Sequence, residues 1–76
     1  MIKTKHKPII QGQRGNWLIW HKGLDIRSWG DTKKEALKSF DDDLRVLWQE
    51  YVLEDPKKLH SSGLELRKAL IEEIKK

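Results

Sequence analysis

His6, His21 and His60 are the side chains of this chain best suited to proton transfer or metal ligation, but their spacing serves neither. Zinc sites draw on His and Cys ligands at short, regular intervals. The three histidines are scattered, and the chain has no cysteine, which removes thiolate ligands and disulfides alike. His6 reads as a strand residue tolerated at a wet edge. Asp41, Asp42 and Asp43 carry enough charge for Mg²⁺. Successive positions on a helix diverge in direction, however, and do not converge on one ion. Ser61 and Ser62 have no neighbouring general base, so capping is their expected job. No glycine-rich loop precedes a Lys-Ser or Lys-Thr pair, so no phosphate cradle is expected. The chain reads as a non-enzyme with neither cofactor nor metal.

Binding chemistry is better represented. Trp17, Trp20 and Trp29 stand close to Arg27 in the sequence, and tryptophan and arginine dominate binding energy at interfaces. Trp17-Leu18-Ile19-Trp20 is a short, wholly apolar run that reads as a strand. Its alternation sends Trp17 and Ile19 to one face and Leu18 and Trp20 to the other. Helices packed on one side cover only one of those pairs. The uncovered face then presents at least one tryptophan beside Arg27 and Trp29, with the Lys3, Lys5 and Lys7 row as a further neighbour. A large apolar patch rimmed by polar groups marks an interaction surface. The alternative is that the second helix or the N-terminal arm covers this face internally.

The elements that would position these residues read as three strands followed by two helices. Residues 2 to 10 alternate, with Lys3, Lys5 and Lys7 on one face, while Pro8 confines this strand to a sheet edge or ends it early. Residues 11 to 16 form a turn-rich connector. Lys22-Gly23 supplies a hairpin turn, and Leu24, Ile26 and Ser28 alternate with Asp25, Arg27 and Trp29 in a third strand. Ala36, Leu37, Phe40, Leu44, Leu47, Trp48, Tyr51 and Val52 recur at steps of three and four, giving one broad apolar stripe over residues 32 to about 54. Asp41, Asp42, Asp43 and Arg45 fall mostly off that stripe and are expected to face water. Thr32 and Glu35 have capping-box spacing at its start. Gly30 permits the chain to turn out of the strand, having no Cβ to forbid positive φ. Asp55-Pro56 stops the helix, because a residue before proline avoids the α region. A second helix, residues 62 to 75, starts with Ser62 and Glu65 at the same capping spacing. Leu66, Leu70 and Ile74 line one side of it, widened by Ala69 and Ile71. It folds back on the first helix or the sheet, or reaches a second subunit.

Size and charge limit the rest. Seventy-six residues make one domain, and a chain of about that length buries only about 60% of its extended surface. Residues 1 to 30 hold six Lys/Arg against Asp25, residues 31 to 55 eight acids against four bases, and residues 56 to 76 six bases against three acids. The basic front either attracts nucleic acid or an acidic protein face, or is a solvated surface. No run approaches the roughly 18 apolar residues of a membrane span. The N-terminus lacks the apolar core of a secretory signal. A cytoplasmic protein is expected.

The segment from Trp17 to Trp20, the short hairpin, Leu24 to Trp29, and then Gly30-Asp31-Thr32-Lys33-Lys34-Glu35-Ala36-Leu37 resembles the HicB-like antitoxin domain. That family runs three strands into a Gly-Asp-Thr-x-x-Glu-Ala helix start, and the resemblance covers residues 1 to about 50. Gly30, Asp31, Thr32, Glu35 and Ala36 match the motif, and there they shape the turn rather than act in catalysis. Two features depart from the family. Its Pro-x-Leu-Pro-Gly segment before the third strand is replaced by Lys22-Gly23, and a helix stands where a fourth strand is expected. The chain has no room for the separate DNA-binding unit of fuller members.

The resemblance implies neutralisation of an RNA-cleaving toxin by occlusion, through the exposed sheet face or the acidic helix. A basic toxin would suit Asp41, Asp42 and Asp43, and a homodimer is expected because strand edges and the second helix both want partners. Two other readings stand beside it. One is direct nucleic-acid binding, with tryptophans stacking on bases while Lys3, Lys5, Lys7 and Arg27 meet phosphates. The other is a structural domain that self-associates through its second helix.

Overall fold

Pro8 decides where the sheet begins. The computed structural model describes residues 3–74; Ile2 and Lys75, expected in the first strand and last helix, lie outside the described residues. Strand β1 is Ile9–Gln13, immediately after the proline, and not residues 2 to 10. Pro8 has no N–H to give to a ladder, and the chain before it is drawn away to the C-terminal helix. The expected connector at residues 11 to 16 shrinks to a two-residue turn at Arg14 and Gly15, where Gly15 adopts φ 73°. Gln11, Gly12 and Gln13 belong to β1.

Strand β2, Asn16–His21, is antiparallel to β1 and to β3, Ile26–Gly30. The sheet order is β1-β2-β3. The turn between β2 and β3 takes four residues, Lys22 to Asp25, with the Asp25 N–H donating to the Lys22 carbonyl at 3.2 Å. Leu24 therefore leaves the strand in which it was expected. Its N–H donates to the His21 ring at 3.1 Å, and its side chain turns into the core. Asp25 closes the turn at φ 51°, a left-handed conformation that aspartate tolerates better than most residues.

Helix α1, Lys33–Leu47, starts as its sequence indicates: the Thr32 hydroxyl accepts from the Glu35 N–H at 3.1 Å. The Glu35 carboxylate reaches back to the Asp31 N–H at 3.2 Å, one residue earlier than in a regular capping box. The helix continues into a wide turn, Trp48–Val52, closed by Leu53 N–H to the Trp48 carbonyl at 3.1 Å. Asp55 is extended, as a residue before proline must be, and its carboxylate caps a short 3₁₀ turn at Pro56–Lys58. Helix α2, Ser61–Glu73, starts one residue before the expected Ser62. Its N-cap is His60, which makes no side-chain cap bond, so the Ser62–Glu65 box does not set this start.

Both helices lie on one face of the sheet. Ile19, Leu24, Ala36, Phe40, Leu44 and Leu70 form the buried core, with Trp17, Ile26, Leu47, Trp48, Tyr51, Leu66 and Ile74 packed around it. Of the apolar stripe, Ala36, Phe40 and Leu44 are buried, and Leu37, Leu47, Trp48, Tyr51 and Val52 are half-buried around them. Ile71, expected to widen the α2 stripe, is instead exposed.

Gly30 is needed for proximity rather than for a positive φ. A Cβ there would press on the Ala36 backbone nitrogen and lie 2.8 Å from the Glu35 carbonyl carbon. Ala36 itself is fully buried. Gly30→Ala is expected to destabilise the protein by about 1–3 kcal/mol, because backbone must move. Gly15→Ala meets open space and suffers only its left-handed φ, about 1–2 kcal/mol. Chemical denaturation of the two variants measures the difference. A Gly30→Ala cost well under about 1 kcal/mol would remove the close β3–α1 approach as the reason for Gly30.

Candidate functional site

Pairing and alternation sort the sheet residues unambiguously. Ile19 is buried under the helices, so its neighbours in register, Ile10 and Ser28, face the same side. The opposite side carries two cross-strand rows, Ile9–Trp20–Arg27 and Gln11–Leu18–Trp29. Neither helix covers these rows. Trp29 and Ile9 are each 50% exposed. The Arg27 guanidinium carbon stands 4.9 Å from the centre of the Trp20 ring, and its Nη1 is 3.4 Å from Asp25 Oδ1. Such a stacked cation adds about 0.5–1 kcal/mol at an exposed site. It also holds both side chains in place before any partner arrives.

Trp20, Arg27 and Trp29 are therefore brought together as expected, while Trp17 is not among them. Trp17 shares the helix side with Ile19, and its ring lies across Gly12, where a Cβ would be 3.3 Å from two ring carbons. Trp20 Nε1 and Asn16 Oδ1, both on strand positions of the open side, are buried without hydrogen-bond partners. An unmet buried polar atom costs about 1–3 kcal/mol. That cost is spent on the open side of the sheet.

The lysine row does not join this patch. Thr4 bridges to Ile74, and the Lys5 N–H donates to the Glu73 carbonyl at 2.6 Å, so the arm is tied to the end of α2. Lys3 and Lys7 line a cleft of about 470 Å³ with Thr4, Pro8 and Ile10, on the helix side of β1. The expected neighbourhood of Lys3, Lys5 and Lys7 with Trp29 is thereby corrected: the arm follows α2, not the open face.

The aspartate run lies on α1, in the helical layer. Asp43 Oδ2 accepts the hydroxyl of buried Ser28 at 2.6 Å, so this residue fastens helix to sheet. Asp42 is exposed and Asp41 half-buried. Gly30, Asp31, Thr32, Glu35 and Ala36 build the β3–α1 junction.

A second cluster went unread in the sequence. Glu73, buried at the end of α2, accepts from the His6 N–H at 3.0 Å and pairs with His6 Nδ1 at 2.6 Å. Its other contact is His21 Nε2 at 3.1 Å. His21 is buried, takes the Leu24 N–H on Nδ1, and so carries its proton on Nε2, which also faces the His6 carbonyl at 2.9 Å. His6, Lys7, Ile9, His21, Lys22 and Gly23 line a cleft of about 330 Å³ beside this cluster. Among the described residues no three His, Cys, Asp or Glu side chains form a metal-holding group. The one sequence signal was Glu73 itself, three residues after Leu70 on the apolar stripe of α2.

Burial alone would raise the Glu73 carboxyl. The hydrogen bonds from the His6 main chain and ring, with the electrostatic pull of His6 and His21, outweigh it and hold the group below its ordinary 4.5. A depressed carboxylate gives stability that is present above the unfolded value and lost as pH falls through the folded one. The melting temperature is therefore expected to be steady above about pH 4.5 on this account and to fall below it. Glu73→Gln should melt lower at neutral pH and lose much of that acid step. An unchanged acid profile in the variant would remove Glu73 from this role.

Among the described residues no helix is long and apolar enough to cross a membrane. Compared with protein-family models, with curated proteins and with solved structures, the chain matches none.

Proposed function

We propose that this chain is a non-enzymatic protein-binding module resembling a HicB-like antitoxin, which neutralises an RNA-cleaving toxin by laying its open sheet face over the toxin's active surface. The observation that carries this reading is the uncovered Trp20–Arg27–Trp29 patch, backed by Leu18 and Ile9. Aromatic side chains and arginine at the centre of a patch are the usual anchors of an interface. The order of three strands and a Thr32-capped helix agrees with the resemblance. The acidic run stands in the other layer, so Asp41, Asp42 and Asp43 would not share the footprint of the tryptophans.

Direct nucleic-acid binding has less behind it. Stacking platforms work with cations that follow the phosphates. On this face Arg27 already has Asp25 beside it, Lys3 lines a cleft with Ile10 on the other side of the sheet, and Lys5 is tied through its main chain to Glu73.

The test is a tagged pull-down from the native host after nuclease treatment, followed by an RNA-cleavage assay of the retained protein. A small basic protein should survive the nuclease, and adding this chain should stop its cleavage of RNA. Trp29→Ala and Arg27→Ala should each weaken the complex by about 2 kcal/mol, roughly thirtyfold, with little change in melting temperature. Loss of all bound material on nuclease treatment would favour the nucleic-acid reading. A retained protein whose activity ignores this chain would end the antitoxin reading.

A further inference from the structure

The edge of β1 lacks the devices by which sheet edges avoid one another. Exposed edges are normally blunted by charge, proline or a covering segment. Residues Ile9-Ile10-Gln11-Gly12-Gln13 carry no charge and are all exposed, and Pro8 guards only the N-terminal end. The helices rest on β2, β3 and each other, leaving β1 to project. Ile9 is 50% and Ile10 40% exposed, on opposite faces of the same edge.

We infer that a second copy of this chain covers that edge, by antiparallel pairing of β1 with β1 about a two-fold axis at Gln11. Main-chain direction supports this register. Antiparallel residues alternate between facing their partner strand and facing away. Counted out from the turn at Arg14 and Gly15, Gln13, Gln11 and Ile9 face β2, and Gly12 and Ile10 face outward. An axis at Gln11 sets Ile10 of each copy opposite Gly12 of the other, so every outward N–H meets a carbonyl. Shifting the axis toward Ile10 would bring Pro8, which has no N–H, opposite Gly12.

Side chains fit the same register. Ile10 and Gly12 share the helix side, and Gly12 is the floor on which the Trp17 ring lies. Ile10 of one copy would therefore sit against the Trp17 indole of the other, twice by symmetry. On the open side Ile9 meets Gln13, and Gln11 meets its own copy. The pairing also brings Lys7 toward Arg14 of the second copy, and each chain carries a net charge of +4. Added salt should therefore strengthen the dimer by screening this repulsion. The edge lies beside the Trp20–Arg27–Trp29 patch, not beneath it, so this inference stands or falls apart from the toxin-binding reading.

Sedimentation equilibrium of the full chain across the micromolar range gives the first measurement. It should show a monomer–dimer equilibrium that shifts toward dimer as salt is raised. Ile10→Lys should be monomeric while keeping its circular dichroism and the melting temperature that the unsubstituted chain shows when diluted to monomer. Since the chain has no cysteine, single cysteine variants report the register independently. Gln11→Cys stands across the axis from itself. Under oxidised glutathione it should form the linked dimer at least about tenfold faster than Gln13→Cys, whose copies lie beyond the roughly 7 Å that a disulfide spans. A monomer at every concentration and salt would overturn the proposal. So would equal cross-linking of the two cysteine variants.

Discussion

A three-stranded sheet has two faces, and this chain has helical surface for one. Phe40, Leu44 and Ala36 of α1, joined by Leu70 of α2, pack against Ile19 and Leu24 and close the core on that side. The open face of the sheet follows from this shortage. Period-two alternation then sends Trp17, Ile19 and His21 inward and leaves Leu18 and Trp20 outside. Arg27 and Trp29 fall outside with them by register. The helices rest on β3 and β2, and β1, the terminal strand of the sheet, is left exposed along its whole length. The open patch follows from the packing limit, and the free edge from the strand order.

Glu73 closes the chain on the covered side. Burying a carboxylate is costly, and here the cost is offset by two bonds from His6 and a contact with His21. Removing one partner from such a cluster leaves an uncompensated charge, which costs more than the intact cluster contributes. The arrangement ties the N-terminal arm, the β2–β3 turn and the end of α2 at one point. It also settles the fate of the lysines. An arm whose main chain is held at Glu73 and Ile74 cannot also lie along Trp29.

The sequence spoke most clearly where interactions are local. The α1 stripe, the Thr32 cap, the Asp55-Pro56 stop and the alternation of β2 and β3 all depend on neighbours within a turn or a strand, and all are found. The first strand was misplaced because the alternation of residues 3 to 7 was real while its ladder was not: the arm bonds to residues some 70 positions away. Leu24 left its strand because the His21 ring takes its N–H, and nothing in the spacing announces that bond. Ser62 and Glu65 had the right separation, but α2 begins a residue sooner. For the site, parity alone paired Arg27 with Trp29 and parted Trp17 from Trp20; the β2–β3 register, which the spacing left open, is what places Trp20 with them. Which group stays uncovered depended on where the helices settle, a tertiary fact that parity does not carry.

Ile9 belongs to both surfaces, and this limits how they work together. It heads the Ile9–Trp20–Arg27 row on the open face and is also part of the edge. In a sheet paired through β1 about Gln11, the two Trp20 side chains face the same way, about 14 Å apart across the strands and about 13 Å apart along them, roughly 20 Å in all. A standard protein interface needs about 800 Å² on each partner, a footprint about 30 Å across. Two such footprints centred on the two tryptophans would overlap. The paired sheet therefore suits one partner lying across the seam, or a partner that is itself two-fold symmetric, and the unpaired chain suits a partner that takes the patch and the β1 edge together.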